Sequence, residues 1–271
     1  VVVAVVQPDK EILANVFGVG LLIAAIVLFI GFYQNARDHE ERRRVLAMIP
    51  LFVGCVAFFA IFEQAGTTLS LFADTGVRRQ YLGFDFLPAY YQDVNPIFII
   101  LLAPVFAWMW VRLVKAKKEP SSVIKFAIGM VLVALSFIVM LPAIGSINTG
   151  ERVSPNFLIA LYFFSTCAEL CISPVGLSSM NKLAPARLAG MVMGTWFLGT
   201  SIGEYLAGRA AGFSASHGYA FLFYTLIIAS LVVAAGLFGV APMIRRMMAG
   251  GAAPLPSARA VEPSAEAPPA A

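Results

Sequence analysis

Long apolar stretches constrain the fold of this chain more than any other feature of its sequence. There are seven of them, and each is close to the roughly 20 residues that a helix needs to cross the hydrocarbon core of a bilayer. Charged residues make up only 13% of the chain, whereas a soluble domain carries about 25%. The sequence therefore predicts an integral membrane protein, with spans at residues 12–33, 45–72, 89–113, 122–143, 156–179, 188–208 and 217–242.

The spans are predicted to be helices. The interior of a bilayer offers backbone N–H and C=O groups no water, so a spanning segment must satisfy them within a helix or a closed barrel. The alternation of apolar and polar residues that a membrane barrel requires is missing from these stretches. The predicted fold class is therefore all-α integral membrane protein.

The positions of Lys and Arg predict the orientation. One set of loops holds thirteen of these residues, and the alternate loops hold four, namely Arg78, Arg79, Arg152 and Arg209. Because positive residues collect on cytoplasmic loops, the first set is assigned to the cytoplasm and the C-terminus is expected inside. The chain has a net charge of +4, and its basic residues lie mainly in such loops. They are therefore interpreted as topology signals, and no nucleic-acid partner is expected.

The spans divide into one helix and a set of six. The charged run NARDHEERRR at 35–44 separates the first span from the others. We expect an accessory helix with a cytoplasmic linker at 1–44, a six-helix bundle at 45–246, and a disordered tail at 247–271, rich in Ala, Pro, Gly and Ser. Such a bundle is typical of half of a two-bundle transporter. A start at Val1 without a signal peptide favours a cut through a longer polypeptide.

Three glutamates lie within the predicted spans, at Glu63, Glu169 and Glu204. A charged side chain at the centre of a bilayer costs about 2.5–3.5 kcal/mol on a translocon scale, so such residues are candidates for function. Glu204 lies near the external end of its span, where a carboxylate that reaches the headgroups is the slightly favoured interpretation. Glu63 and Glu169 are the main candidates.

Helical spacing places Glu169 on one face with Tyr162, Ser165 and Ser173, and this stripe is expected to face water or a ligand. Pro174 follows at once, and its missing N–H leaves a carbonyl one turn back without its usual partner. The alternative is a carboxylate that pairs with a cation on a neighbouring helix for packing alone. Since no Lys or Arg lies in the middle of a span, that cation would have to come from elsewhere.

On a continuous helix Glu63 shares a face with Phe59, Thr67 and Ser70. Its distance from Arg44 corresponds to about 28 Å of helix, which places Glu63 in the external half of its span and suggests a role at a gate. A carboxylate that reaches up to the external headgroups is the competing interpretation.

Two further residues are ambiguous from the sequence. Asn95 precedes Pro96 and could cap a helix, but a helix that begins at Pro88 instead places Asn95 about two turns deep, as an amide that faces a ligand. Trp196 lies in the middle of a span whose glycines form two GxxxG pairs. Lining a pocket, facing the lipid and packing in the core are comparable interpretations for this tryptophan.

No metal-binding or phosphate-binding motif is present in the sequence. HExxH, CxxC and P-loop motifs are missing, and both histidines lie at or beyond the ends of spans. Cys167 and Cys171 share a helix face without a nearby histidine, which argues against a soft-metal site. We therefore expect no enzyme activity and no cofactor.

Three segments resemble proton-dependent oligopeptide transporters, a family of the major facilitator superfamily. FEQAGTTLSLFAD at 62–74, NPIFIILLAPVFAWMW at 95–110 and ELCISPVGLSSMNKLAPARLAGMVMGTWFLG at 169–199 are similar to the family's seventh, eighth, tenth and eleventh helices. Residues 12–33 look like the second helix of the hairpin that links the two bundles in bacterial members. The resemblance implies a missing N-terminal six-helix bundle, which carries the family's ExxER motif and the basic residues that bind the peptide carboxylate.

The resemblance implies roles for five residues. Glu169 matches a glutamate that holds the amino terminus of the peptide, and Ser173 lies one turn on in the same pocket. Asn95 matches an amide that hydrogen-bonds the peptide backbone, and Trp196 matches a pocket-lining tryptophan. Glu63 matches a carboxylate that pairs across the bundles near the external gate and takes part in proton coupling.

The function implied by the resemblance is import of di- or tripeptides with protons across a bacterial inner membrane, by alternating access. Two positions depart from the family pattern. Phe59 stands where many relatives have Trp in the FWxxFEQ pattern, and Glu204 stands where many have Asn before the YLAG string. A related transporter of other organic solutes or drugs, or a non-transporting membrane protein that senses peptides, therefore remains an alternative.

Overall fold

The apolar stretches form helices in the computed structural model, which describes residues 9–148 and 150–249. Within those residues, six helical segments are long and apolar enough to cross a membrane. The predicted all-α membrane fold is confirmed, whereas the predicted tail lies outside the described residues from position 250 onward. The α-helices are α1 (Lys10–Gln34), α2 (His39–Phe62), α3 (Thr68–Gly76), α4 (Tyr91–Lys115), α5 (Ser122–Ile138), α6 (Leu141–Asn148), α7 (Asn156–Leu183) and α8 (Ala189–Ala249).

The predicted span at 188–208 differs from the others in composition. It is helical, as the first part of α8, but it is not among the six segments that are apolar enough to span. Glycines, threonines, a serine and Glu204 lower its hydropathy. Further along, α8 breaks at Gly218, whose φ of 82° and ψ of 165° are readily adopted only by a residue without a Cβ. This break separates the last two predicted stretches.

The predicted span at 45–72 is not one continuous helix, contrary to the sequence expectation. A 3₁₀ turn at Glu63–Ala65 follows α2, and α3 begins only at Thr68. Thr67 has φ −118° and ψ −93°, outside the helical region. Gly66 ends the turn and is followed by Thr67 and Thr68, and glycine and β-branched residues favour a break because they support a helix poorly.

Four helices, α2, α5, α7 and α8, form the core. α2 and α5 pack against α8, and α5 also packs against α7. By contrast, α4 packs chiefly against α7, and Tyr91 is the only buried residue in all of α4. The other faces of α4 are therefore open to lipid or to another polypeptide segment. Fully buried core residues include Met48, Leu51, Phe58, Phe126, Met130, Ile172 and Phe223.

The linker between α1 and α2 comprises residues 35–38, so it is shorter than the charged run at 35–44 from which it was predicted. Asp38 caps α2, and its side chain accepts a hydrogen bond of 2.7 Å from the Glu41 backbone N–H. Glu41 reaches back and accepts a bond of 2.8 Å from the Arg37 backbone N–H. This reciprocal cap, with acidic residues in the first turn, explains why the helix begins at His39.

Arg187 ties this linker to the turn between α7 and α8. Its guanidinium donates two hydrogen bonds to the Glu41 carboxylate, at 2.7 and 2.6 Å, and one of 2.7 Å to the Asn35 carbonyl. We call these three residues, Glu41, Arg187 and Asn35, the linker clamp. The clamp fixes the end of α1 and the start of α2 relative to the rest of the bundle.

A small β-hairpin joins α3 to α4. β1 (Gln80–Tyr81) and β2 (Phe84–Asp85) pair antiparallel, with Gln80 opposite Asp85. Leu82 and Gly83 form the two-residue turn, with positive φ values of 50° and 83°. The sequence did not predict this hairpin, which is too short to change the fold class.

Candidate substrate-binding site

Glu169 and Asn95 meet between α4 and α7. The Asn95 Nδ2 donates a hydrogen bond of 3.0 Å to the Glu169 Oε2. A 3₁₀ turn at Pro88–Tyr90 precedes α4, which begins at Tyr91, so Asn95 lies inside the helix and is not its N-cap. The structure thus selects the deeper of the two positions considered for Asn95. Both side chains are half-buried.

Thr166 completes this contact, although the sequence analysis did not identify it. Its hydroxyl accepts a second bond of 3.0 Å from Asn95 Nδ2 and donates one of 2.7 Å to the Tyr162 carbonyl. Thr166 lies three residues before Glu169, and this spacing, which puts both on one side of α7, was the available signal. Within residues 9–148 and 150–249, the Asn95 Oδ1 and the Glu169 Oε1 accept no hydrogen bond.

The polar stripe along α7 is only partly open. Tyr162 and Ser165 are 2% and 6% exposed, so they lie in the core and do not face water, contrary to the sequence expectation. Ser173 lies one turn beyond Glu169, and its Oγ is buried without a hydrogen-bond partner in the described part of the chain. Pro174, also inside α7, leaves one more carbonyl without its helical donor. Of the four residues of the stripe, only Glu169 and Ser173 are therefore partly exposed.

Glu63 lies at the break between α2 and α3. Its side chain is half-buried, and among the described residues its carboxylate has neither a hydrogen bond nor an ion pair. Glu169 and Glu204 lie close enough to repel its charge, and Glu204 is exposed. The region around Glu63 and Glu169 therefore carries concentrated negative charge.

Because the helix breaks after Glu63, the predicted common face with Thr67 and Ser70 is not formed. Thr67 donates a hydrogen bond of 3.4 Å to the Glu63 carbonyl. Ser70 turns back and donates one of 2.9 Å to the Ala65 carbonyl. These hydroxyls satisfy backbone carbonyls that the break leaves without helical donors, so they are not free to bind a ligand through those hydrogens.

Side-chain amides hold the break in place. Gln64 is fully buried, and its Nε2 donates to backbone carbonyls of α2 and α8 at 3.2 Å each. Thr68 donates to the Gln64 Oε1 at 2.7 Å, and Gln92 of α4 donates to the Ala65 carbonyl at 2.8 Å. The break is thus built into the packing of three helices, which fixes the backbone of Glu63.

Trp196 lies in the core of the bundle. It is 4% exposed, and its ring packs edge to face against Phe126 with centroids 6.3 Å apart. A Cβ added at Gly176 would overlap both rings, so α7 can approach α8 this closely only because that residue is glycine. This placement matches the core interpretation of Trp196, and in the described part of the chain no hydrogen bond joins its side chain to Glu169.

The arrangement suits a positively charged ligand. Glu169 is held by a neutral amide, and within the described ranges no Lys or Arg pairs with Glu63, Glu169 or Glu204. A partly buried carboxylate without a cation is costly, so a cation from outside stabilises it. An ammonium group has three N–H donors, which match the free acceptors on Asn95 and Glu169.

The known proteins to which this chain is similar are transporters. The chain is 38% identical over 232 residues to the uncharacterized transporter YclF of Bacillus subtilis (strain 168), covering 85% of this chain and 46% of that protein. It is 37% identical over 250 residues to the peptide transporter YePEPT of Yersinia enterocolitica, covering 90% and 49%. A crystal structure of a mutant of peptide transporter POT in complex with alafosfalin matches with a TM-score of 0.82 and 38% identity, over 91% of this chain and 50% of that one.

The chain spans about half the length of the curated relatives it matches. Six apolar helices and the likeness to solved transporters make it part of a multi-pass membrane protein. The sequence profile described as the POT family, PTR2, matches residues 8–226, which include Glu63, Asn95 and Glu169. With most of its length matched to that profile, the chain belongs to the POT family.

Proposed function

We propose that the full-length protein is a proton-coupled symporter that imports di- or tripeptides by alternating access, and that this chain supplies its C-terminal half. The description of a relative and of a solved structure as peptide transporters supports a peptide substrate. The observation that carries the proposal is the contact between Asn95 and Glu169, in which a half-buried carboxylate is held by an amide and left without a cation. Basic groups that bind the peptide carboxylate would come from the N-terminal bundle.

Glu169 binds the amino terminus of the peptide in this proposal. Its free Oε1 and the Asn95 Oδ1 accept from the ammonium, and the Asn95 amide keeps the carboxylate in one orientation. Ser173 Oγ, buried without a described partner, offers a further polar contact one turn along α7. Trp196 acts from the core, where it sets the spacing between α7 and α8 and so positions the carboxylate.

Glu63 is the proposed proton-coupling group. Its carboxylate stands unpaired at a helix break, close to two other acids. A cation from the N-terminal bundle would pair with it in one state of the gate. When that cation leaves, a carboxylate in a desolvated site among like charges favours its neutral form, so proton binding and ion-pair breakage bias the same conformational change.

The proposed location is the bacterial inner membrane, with the C-terminus in the cytoplasm. The support is the excess of Lys and Arg on the loops at one side, thirteen against four. The linker clamp then lies on the cytoplasmic side and the β1–β2 hairpin on the external side. Labelling of single cysteines introduced at Gln80 and Asn181, in intact cells, separates the two orientations.

The test is uptake by the full-length protein in proteoliposomes. We expect labelled dipeptide to accumulate when a pH gradient, acidic on the side of entry, is imposed, and unlabelled di- and tripeptides to compete. Competition by other amino-containing solutes but not by peptides would instead identify a transporter of other organic solutes. Peptide binding without any flux would identify a peptide sensor, and neither binding nor flux would exclude both.

A further inference from the structure

An apolar groove runs along the outside of the bundle between α1 and α2. Its volume is about 410 Å³, and all ten lining side chains are aliphatic or phenylalanine. α1 contributes Ala25 and Phe29, α2 contributes Phe52, and α8 contributes Ile202. Nine of the ten lining residues belong to two of the six spanning segments, so the groove lies at the depth of the bilayer hydrocarbon. An acyl chain is the occupant that matches this lining.

An arginine and a tyrosine lie beyond one end of the groove, after Ile30 on α1 and before Ile49 on α2. Arg42 of α2 lies over the ring of Tyr33 of α1, with its Cζ 5.4 Å from the ring centroid. The Arg42 Nε is buried and has no hydrogen-bond partner in the described part of the chain. The nearest acid one turn back, Asp38, accepts instead from the Glu41 backbone. Arg42 forms no ion pair in the described part of the chain, so its positive charge is available to an anionic group that approaches the terminal nitrogens of the guanidinium.

The spacing between this pair and the groove matches one lipid molecule. On α1, Ile30 of the groove lies three residues before Tyr33, or about 4.5 Å along the axis. On α2, Ile49 lies seven residues after Arg42, or about 10.5 Å. A phosphate on Arg42 would thus place its attached chain at the mouth of the groove. Arg43, exposed beside Arg42, adds positive charge at the same level.

We propose that this groove and Arg42 form a binding site for one anionic phospholipid of the leaflet at this end of the protein. The phosphate accepts from the terminal N–H groups of the Arg42 guanidinium, and one acyl chain lies between α1 and α2. Since lipid tails are as apolar as the groove, the chain gains shape complementarity but little hydrophobic energy on leaving the bilayer. Selectivity must therefore come from the headgroup and Arg42. This site is independent of the proposed transport function.

A second basic and aromatic pair on the same side provides the control. Arg112 of α4 lies over the ring of Trp108, with its Cζ 5.1 Å from the centroid. Both residues are part of a pocket with Val111 and Lys115 that lacks the long apolar groove. General attraction of anionic lipids would act on Arg112 and Arg42 alike. A built site requires Arg42 and the groove together.

The experiment is native mass spectrometry of the full-length protein in detergent, after incubation with equal amounts of phosphatidylglycerol and phosphatidylethanolamine. We expect one phosphatidylglycerol to remain bound in preference. Arg42→Gln should reduce that preference about fivefold, the typical effect of one basic residue near an anionic membrane. Arg112→Gln should leave it unchanged. Ile26→Trp, at an exposed position of the groove wall, should lower retention of both lipids while leaving the headgroup arginine in place.

Several results would overturn the proposal. These are the absence of a retained lipid in the wild-type protein, equal retention of the two lipids, and equal effects of Arg42→Gln and Arg112→Gln. Competition by soluble glycerophosphate as effective as that by phosphatidylglycerol would show a free phosphate site. A dimer that Ile26→Trp dissociates would show that the groove binds a second copy. If Arg42→Gln does not fold, Ile26→Trp decides between a lipid groove and a purely electrostatic contact.

Discussion

Glu41 and Glu169 are both glutamates on helices of this membrane protein. The chain pairs the carboxylate of Glu41 with a cation and leaves that of Glu169 without one. Glu41, at the start of α2, receives two hydrogen bonds from the Arg187 guanidinium and one from the Arg37 backbone. Glu169, within α7, receives one hydrogen bond from the neutral Asn95 amide. The first carboxylate is fully paired where water and headgroups are close. The second is left with its charge uncompensated where the surroundings are apolar.

This difference separates structural from functional carboxylates in physical terms. Glu41 and Arg187 neutralise each other's charge, so this ion pair needs no further charged partner. The carboxylates of Glu169 and Glu63 lose hydration on burial, and no cation among the described residues offsets that cost in free energy. Such a cost persists in a folded protein when a ligand, a proton or another part of the protein supplies the positive charge. Changes at the unpaired acids should therefore alter transport, whereas changes at the paired acid should alter stability.

The largest expected effect is at Glu63. In the full-length protein, Glu63→Gln should abolish accumulation of dipeptide against its gradient, because glutamine carries no titratable charge to couple protons to the gate. Counterflow, which needs no proton gradient, should continue. Uptake under an imposed pH gradient and counterflow are compared in the same proteoliposomes. Unchanged pH-driven uptake together with normal counterflow would remove Glu63 from the coupling role, and Glu204→Gln serves as a control for loss of an exposed acid nearby.

Glu169→Gln should weaken peptide binding by roughly 10- to 100-fold, which corresponds to the loss of one charge-assisted hydrogen bond. The melting temperature should stay the same or rise, because the substitution removes a charge that the chain does not pair. Peptide titration by calorimetry and a thermal scan of the apo protein measure the two effects. Glu41→Gln, which removes a paired carboxylate, should leave the affinity unaltered. Equal affinity of wild type and Glu169→Gln would exclude Glu169 from the site.

The sequence predicted the helices well because the bilayer leaves the backbone few choices. A long apolar stretch must satisfy its own hydrogen bonds, so length and composition alone located α1, α4 and α7. The break at Glu63–Ala65 was missed because the apolar stretch continues on both sides of it. Its cause is a set of side-chain contacts from Gln64 and Gln92 that involve three helices. Contacts of that kind depend on which helices are neighbours, and periodicity does not specify neighbours.

The candidate site, like the fold, was predicted from the sequence only in part. Glu169 stood out in the sequence because a charged group in a membrane span is costly, whereas Asn95 was left between a helix cap and an amide that faces a ligand. Their direct contact could not be derived, since it requires α4 to pack on α7. The predicted stripe on α7 assumed that Tyr162 and Ser165 face water with Glu169, but helix packing covers both of them. Helical spacing shows which residues share a face, and only the packing shows how much of that face is open.

Asn95→Ala should reduce peptide affinity by roughly two- to tenfold, less than the loss at Glu169, because a neutral hydrogen bond contributes less than the charge itself. Without the amide, Thr166 keeps its bond to the Tyr162 carbonyl, so the helix should not be disturbed. Gln92→Ala is the matched control, as Gln92 lies on the same helix but bonds to Ala65 and Ser70. The same titration measures both variants. A larger loss for Gln92→Ala than for Asn95→Ala would contradict the proposed site.

The smallest effect is expected at the paired carboxylate. Glu41→Gln in the full-length protein should lower the melting temperature by no more than a few degrees, because the linker clamp lies in reach of solvent and such ion pairs contribute little. The decrease should shrink as salt is raised, since salt screens the pair in the wild-type protein. Glu40→Gln, which removes only the pairing with Arg44 within one helix, should change the melting temperature less than Glu41→Gln does. If Glu41→Gln impaired peptide affinity as strongly as Glu169→Gln, pairing within the chain would not distinguish structural from functional acids.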